Sequence, residues 1–283
     1  TIATTNGTAS ISGNLITWNI TTLASGASAT LTFDVTTLVG IGSGATISNN
    51  ATFSYNTNNN GFGITYGPTN TNTVRLTSQT VTISKIASIT QGEIGDNINY
   101  TITFTVPYGT IAYSPVLTDT LPVGQSYIGP TTRQVNSDPP TTVIPASISG
   151  QLITFPTQPD INASSVAQIV TYKFIARITS ATHNPPFNEN QTNSSNINWG
   201  STAIGNRINR SSSVTINART PNIIIKKEQK NVTTSGSYTT SNISAIPGDV
   251  IYYRLTVTSN GASPAYNVVL TDLLDNKLTF ENS

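Results

Sequence analysis

The chain has no cysteine and no methionine. Disulfides and cysteine-based zinc sites are therefore excluded. Charge is scarce too: 9% of the 283 residues are charged and the formal net charge is +1, against roughly 25% charged in an average globular chain. No basic run exists beyond Lys226-Lys227, so nothing draws the chain electrostatically to nucleic acid or to an anionic membrane surface. No apolar run approaches the roughly 18 residues of a membrane-spanning helix, and no signal peptide is visible. The single histidine, His183, lies in a His-Asn-Pro-Pro loop sequence. Neither a Ser/His/Asp order nor a metal-ligand spacing can be assembled around it. The twelve acidic residues are scattered, which disfavours paired-carboxylate hydrolysis; Asp275 and Glu281 read as solvated loop positions. The residues exclude an enzyme with turnover and imply no cofactor.

The polar surface is built instead from Thr, Ser and Asn, which favour strands and turns over helices. Apolar residues alternate strictly with polar ones in Ile98, Tyr100, Ile102, Phe104 and Val106. They do so again in Tyr172, Phe174, Ala176 and Ile178, in Leu31, Phe33 and Val35, and in Ile251, Tyr253, Leu255 and Val257. A period of two marks half-buried strands. Turn pairs such as Ser12-Gly13, Asn60-Gly61 and Pro247-Gly248 separate them. Several short strands per segment predict an all-β chain of tandem immunoglobulin-like antiparallel sandwiches.

The segments repeat. Gly95-Asp-Asn-Ile-Asn-Tyr100 matches Gly248-Asp-Val-Ile-Tyr-Tyr253, and Val116-Leu-Thr-Asp119 matches Val269-Leu-Thr-Asp272. Ser10-Ile-Ser-Gly-Asn-Leu-Ile-Thr-Trp18 matches Ser147-Ile-Ser-Gly-Gln-Leu-Ile-Thr-Phe155, which makes Trp18 and Phe155 equivalent core aromatics. The spacing predicts one complete repeat over 78–221, the back half of a repeat over 1–77, and the front half of another over 222–283. On this reading the last residues run on into the first. The chain is then a window on a longer array, or Ser283 of one copy abuts Thr1 of the next and the halves complete each other across copies.

Three polar residue types break the alternation on the apolar faces. Lys85 shares parity with Val81 and Ile83, and Lys227 with Ile223 and Ile225. Asp119 lies between Leu117 and Leu121, and Asp272 between Leu270 and Leu274. Asn49 shares the face of Ile47, Ala51 and Phe53, and Asn193 that of Ile197 and Trp199. Each is costly to bury alone. Together they can react, because burial deprotonates the lysine and protonates the aspartate. The amine can then attack the asparagine carbonyl, expel ammonia and leave a Lys–Asn isopeptide bond. The candidate sets are Lys85, Asp119 and Asn193, and, across the two halves, Lys227, Asp272 and Asn49. Asn190 and Asn196 are alternates to Asn193, and Lys226 to Lys227. A snorkelling lysine, a bend-capping aspartate and a turn asparagine are the ordinary readings of the same residues.

The ordered set Lys, Gly-Asp-x-Ile-x-Tyr, Val-Leu-Thr-Asp-x-Leu-Pro, Ile-Thr-Trp, Leu-Thr-Phe-x-Val and Asn-x-Ala-Thr-Phe resembles the conserved repeat called domain of unknown function eleven. It is similar, too, to isopeptide-forming domains of Gram-positive fimbriae and adhesins. The resemblance implies an extracellular cell-surface stalk or fibre, with copies of the repeat as head-to-tail neighbours and an internal Lys–Asn bond in some members. Asn193-Ser-Ser-Asn-Ile197 departs from its Asn-x-Ala-Thr-Phe pattern. The rival reading is an adhesin module whose loops, Asn56 to Gly63 and His183 to Asn190, bind a glycan or protein on a host or cell surface. Asp96 and Asp249 read as turn caps rather than calcium ligands, since no cluster of six to eight oxygens can be assembled.

Overall fold

The computed structural model describes residues 1–58 and 62–281; the Asn60-Gly61 turn and Ser283 lie outside them. The fold is all-β, as the period of two predicts, with no helix among the described residues. The chain divides into two compact units, Thr1–Gly40 and the remainder from Ile41.

In the first unit, β1 (Ile2–Thr4) pairs with β4 (Leu31–Phe33), and β2 (Thr8–Ser12) with β3 (Leu15–Asn19). Ile16, Trp18 and Ile20 share one half-buried face, and the Trp18 Nε1 donates to the Asn6 carbonyl at 2.8 Å. The expected equivalence with Phe155 holds in position but not in burial. Phe155 is fully enclosed between two sheets, whereas a two-stranded ribbon offers Trp18 no comparable second layer.

The second unit begins with β5 (Ile41–Gly42), β6 (Thr46–Asn49), β7 (Thr52–Asn56), β8 (Thr65–Asn70) and β9 (Val74–Thr77). Here β6 pairs with β9 and β7 with β8. A sandwich follows. One sheet runs β10 (Thr82–Ala87), β12 (Asn97–Val106), β19 (Gln168–Ile178), β14 (Gln125–Val135), β15 (Thr141–Val143), all antiparallel. The other runs β11 (Gln91–Glu93), β21 (Arg207–Arg219), β20 (Asn188–Gly200), β13 (Thr110–Thr120), β17 (Leu152–Thr154), β16 (Ser147–Ser149), and β18 (Ile161–Asn162) also joins β13. Beyond the sandwich, β22 (Ile223–Asn231) pairs with β23 (Ile251–Ser259).

Alternation explains the core. Along β12 the even residues Ile98 to Val106 are buried, and along β19 Val170, Tyr172, Phe174, Ala176 and Ile178. Phe155 packs on Tyr172 and Phe174 at 5.1 and 6.2 Å between ring centroids, and Trp199, Ile197, Leu117 and Ile153 close the opposite side. Each such side chain contributes about 1.5–3 kcal/mol of burial.

The seams flanking the sandwich are hydrogen-bonded rather than loose. β5 adds in parallel to β13, and the Trp199 Nε1 donates to the Ser43 carbonyl at 3.0 Å. The Ser78 amide donates to the Ala45 carbonyl, as the Thr220 amide does to the Phe187 carbonyl. Consequently the compact second unit starts at Ile41 and not at residue 78, where repeat spacing sets the boundary.

Candidate functional site

Lys85 projects inward from β10, the edge of the first sheet, with Ile83 and Ala87 on the same face. It meets residues of the opposite sheet. Asp119 on β13 lies directly across from Ser195 on β20, and Asn193 points to the same face two residues before Ser195. The relative exposures of Lys85, Asp119 and Asn193 are 6%, 0% and 0%.

The Lys85 ammonium donates to Asp119 Oδ2 and, at 2.8 Å, to the Ser195 hydroxyl. Ser195 in turn donates to Asp119 Oδ2 at 2.6 Å. The Lys85 Nζ also sits 4.7 Å from the Tyr100 ring centroid and 5.4 Å from that of Phe174. Asn193 lies beside Asp119 and the Tyr100 hydroxyl, yet neither atom of its amide, nor Asp119 Oδ1, makes a hydrogen bond of good geometry. Such a buried orphan costs about 1–3 kcal/mol.

Desolvation dominates the electrostatics. It pulls the Lys85 amine down to about 8, against the opposing pull of Asp119. It pushes the Asp119 carboxyl up, against Lys85, Ser195 and Asn193. Both shifts favour the neutral amine and the neutral acid, which are the forms that nucleophilic attack on a carboxamide requires.

A β-bulge sets the orientation of Asp119. Register slips between Tyr113 and Val116, where Ser114 adopts φ 43. Before the slip the buried residues are Thr110 and Ala112; after it they are Leu117, Asp119 and Leu121. Asp160 accepts from the Ser114 amide at 2.9 Å, and the Arg207 guanidinium donates to the Ser114 carbonyl at 3.2 Å from each of two nitrogens. A bulge changes which side chains of a strand face the core, and this one turns Asp119 inward.

Of the alternates, Asn190 is exposed and accepts from Asn217, and Asn196 is on the face of β20 opposite Asn193. Sequence reading missed Ser195 and a polar chain beside it. Tyr100 donates to Gln125 at 2.8 Å, Gln125 to Gln191 at 3.1 Å, and Gln191 to the Ser180 carbonyl at 2.8 Å. The signal was present: Gln191 and Ser195 share the parity of Asn193, Ile197 and Trp199.

The second candidate set is only partly assembled. Lys227 meets both carboxylate oxygens of Asp272, at 2.7 and 2.8 Å, and lies 4.7 Å from the Tyr253 ring centroid. These side chains are partly exposed, 42% for Lys227 and 30% for Asp272. Lys226 points away and pairs with Glu228 at 2.8 Å. Asn49 is exposed on β6, and no hydrogen bond joins it to Lys227 or Asp272 among the described residues. Asp96 and Asp249 each accept the amide of the residue three before, Glu93 at 2.8 Å and Ile246 at 3.0 Å, as turn caps do.

No protein-family model and no curated protein matches the chain, so the likeness to the domain-of-unknown-function-eleven repeat rests on its ordered motifs. Among solved structures it is similar to BcpA, the major pilin subunit of Bacillus cereus, at 15% identity over 74% of this chain and 63% of that one, TM-score 0.39. It is similar to the full-length major pilin SpaD of Corynebacterium diphtheriae at 10% identity, covering 57% of this chain and 40% of that one, TM-score 0.37. A third is the pilus backbone protein RrgB of Streptococcus pneumoniae, at 11% identity, covering 63% of this chain and 83% of that one, TM-score 0.36. The chain thus spans less than two thirds of the length of the first two.

Proposed function

We propose that this chain is a structural segment of an extracellular cell-surface stalk or fibre, assigned by its ordered motifs to the domain-of-unknown-function-eleven repeats. Its 78–221 repeat is sealed by an isopeptide bond between Lys85 and Asn193. The observation that carries the bond is a lysine, an aspartate and an under-bonded asparagine enclosed in one core. No diffusible substrate reaches groups so buried, so their chemistry is confined to one another and happens once. Lys85 passes a proton to Asp119, and the free amine attacks Cγ of Asn193 while the protonated Asp119 polarises the carbonyl. The Nζ–Cγ bond forms and the Cγ–Nδ2 bond breaks, the leaving nitrogen takes both protons shed by Lys85, one directly and one handed on by Asp119, and it departs as ammonium while Asp119 returns to the carboxylate. Ser195 holds amine and acid together throughout.

Intact mass tests this. The chain is expected about 17 Da below the sequence mass, the mass of one ammonia, with a Lys85–Asn193 linked peptide on digestion. Asn193→Ala abolishes that link. An unlinked Lys85 in the wild type overturns the proposal.

The pH response separates reacted from unreacted sites. In Asn193→Ala, Lys85 stays a free amine whose folded value of about 8 lies below its ordinary 10.5. The unfolded state then binds more protons between those values, so the lysine's contribution to stability rises with pH across that window. Asp119, raised, contributes oppositely, its share being lost as pH rises through its folded value. Melting temperatures of Asn193→Ala minus those of Asn193→Ala/Lys85→Met are therefore expected to increase from pH 7.5 to 10. In the wild type an amide nitrogen cannot titrate and the Lys85 slope is absent.

A further inference from the structure

Asn193 can turn either end of its carboxamide to Asp119, beside which it lies. The productive end is the carbonyl oxygen, which a protonated Asp119 polarises. The other end, Nδ2, is the leaving nitrogen. While Asp119 is a carboxylate it attracts Nδ2, so its own charge favours the wrong end. A second group has to set the orientation, and the polar chain on the far side of Asn193 runs in one direction only.

That direction is fixed at the Ser180 carbonyl, which can only accept. Gln191 therefore turns Nε2 to it at 2.8 Å, which leaves Oε1 to accept from Gln125 Nε2 at 3.1 Å. Gln125 Oε1 in turn accepts the Tyr100 hydroxyl proton at 2.8 Å. All three side chains are buried. The anchor is held as well, since the Ser180 amide donates to the Gly124 carbonyl at 3.2 Å. A Cβ on Gly124 would lie 2.4 Å from Gln191 Nε2 and 2.5 Å from the Ser180 carbonyl oxygen, so only glycine leaves room for the contact. At the other end, the Tyr100 oxygen has given its proton to Gln125 and has only lone pairs left for Asn193 beside it. Burial pushes that hydroxyl up to about 12, so it keeps its proton at neutral pH.

We infer that this one-way chain selects the reactive orientation of Asn193: Tyr100 offers an acceptor to Nδ2, which leaves the carbonyl oxygen to Asp119, and Gln125 and Gln191 are positioning residues that act through Tyr100. This rests on the chemistry proposed for Lys85. Without Gln191, the Gln125 carboxamide is free to turn over and no longer claims the Tyr100 proton. The hydroxyl can then donate to Asn193 Oδ1 and hold the carbonyl away from the acid.

The test is the rate of linking. The full chain is made by cell-free translation and sampled over time into denaturant, and intact mass gives the fraction that has lost about 17 Da, one ammonia. Tyr100→Phe keeps the ring against Lys85, and Gln191→Met keeps the side-chain length. Each is expected to link roughly three- to tenfold more slowly, the worth of one hydrogen bond. The double variant should be no slower than Tyr100→Phe alone, because Gln191 has nothing left to act through. Melting temperatures of the same substitutions in Asn193→Ala, where no bond forms, give their purely structural cost. Linking of Tyr100→Phe at the wild-type rate, or slowing that multiplies in the double variant, would overturn this inference and leave the Lys85 reading standing. A wild type that never loses the mass overturns both.

Discussion

Asn193→Ala is expected to lower the melting transition of the 78–221 repeat by roughly 10 to 20 °C. The proposed bond would close a ring of 193 − 85 = 108 residues. By analogy with disulfide loops of that length, the entropy withheld from the unfolded state is worth about 5 kcal/mol. The substitution isolates this contribution well. The Asn193 amide makes no well-formed hydrogen bond, so truncating it sacrifices little else, and the Lys85–Asp119 pair stays whole. Lys85→Ala and Asp119→Ala should cost more, because each also strands a buried charge, a penalty of about 3–5 kcal/mol. Calorimetry on the full chain gives the ranking. A shift below about 3 °C for Asn193→Ala would mean that no ring is closed.

Pulling the chain by its ends should separate the same variants even more sharply. The proposed bond would join β10 of one sheet to β20 of the other. With that bond in place, force entering at Ser78 would pass through Lys85 to Asn193 and leave by β21. The 107 residues between the linked positions would then be unable to extend. At about 3.5 Å per residue they hide on the order of 370 Å of contour. The wild-type repeat is expected to lengthen by roughly 125 Å on unfolding, and Asn193→Ala by roughly 500 Å. Single-molecule extension traces that show the long step in the wild type would rule out the bond.

Much of this was legible in the amino-acid order. The alternation of Ile98 to Val106 and of Tyr172 to Ile178 names the core faces of β12 and β19 directly, because a strand has one geometric period. Parity placed Lys85, Asp119 and Asn193 on apolar faces for the same reason, each within an uninterrupted stretch of strand. What parity cannot convey is which faces oppose each other. Asp119 and Ser195 become cross-strand neighbours only through pairing between residues far apart in sequence. The Ser114 bulge is hidden because it depends on Asp160 and Arg207 arriving from elsewhere. The Tyr100–Gln125–Gln191 chain was missed because glutamine on a strand reads as solvent-facing until a second sheet covers it.

The bulge at Ser114 carries a consequence for how such a repeat drifts over generations. The position of Asp119 depends on the count of residues between the start of β13 and the aspartate, and the extra residue is absorbed at one place. An insertion or deletion of a single codon in that stretch turns Asp119 to solvent and leaves Lys85 enclosed without its partner. Exchanges at exposed positions such as Thr120 leave that count intact. Across copies of the repeat, the length of this segment should therefore stay fixed while its composition wanders, whereas surface loops are free to change in both.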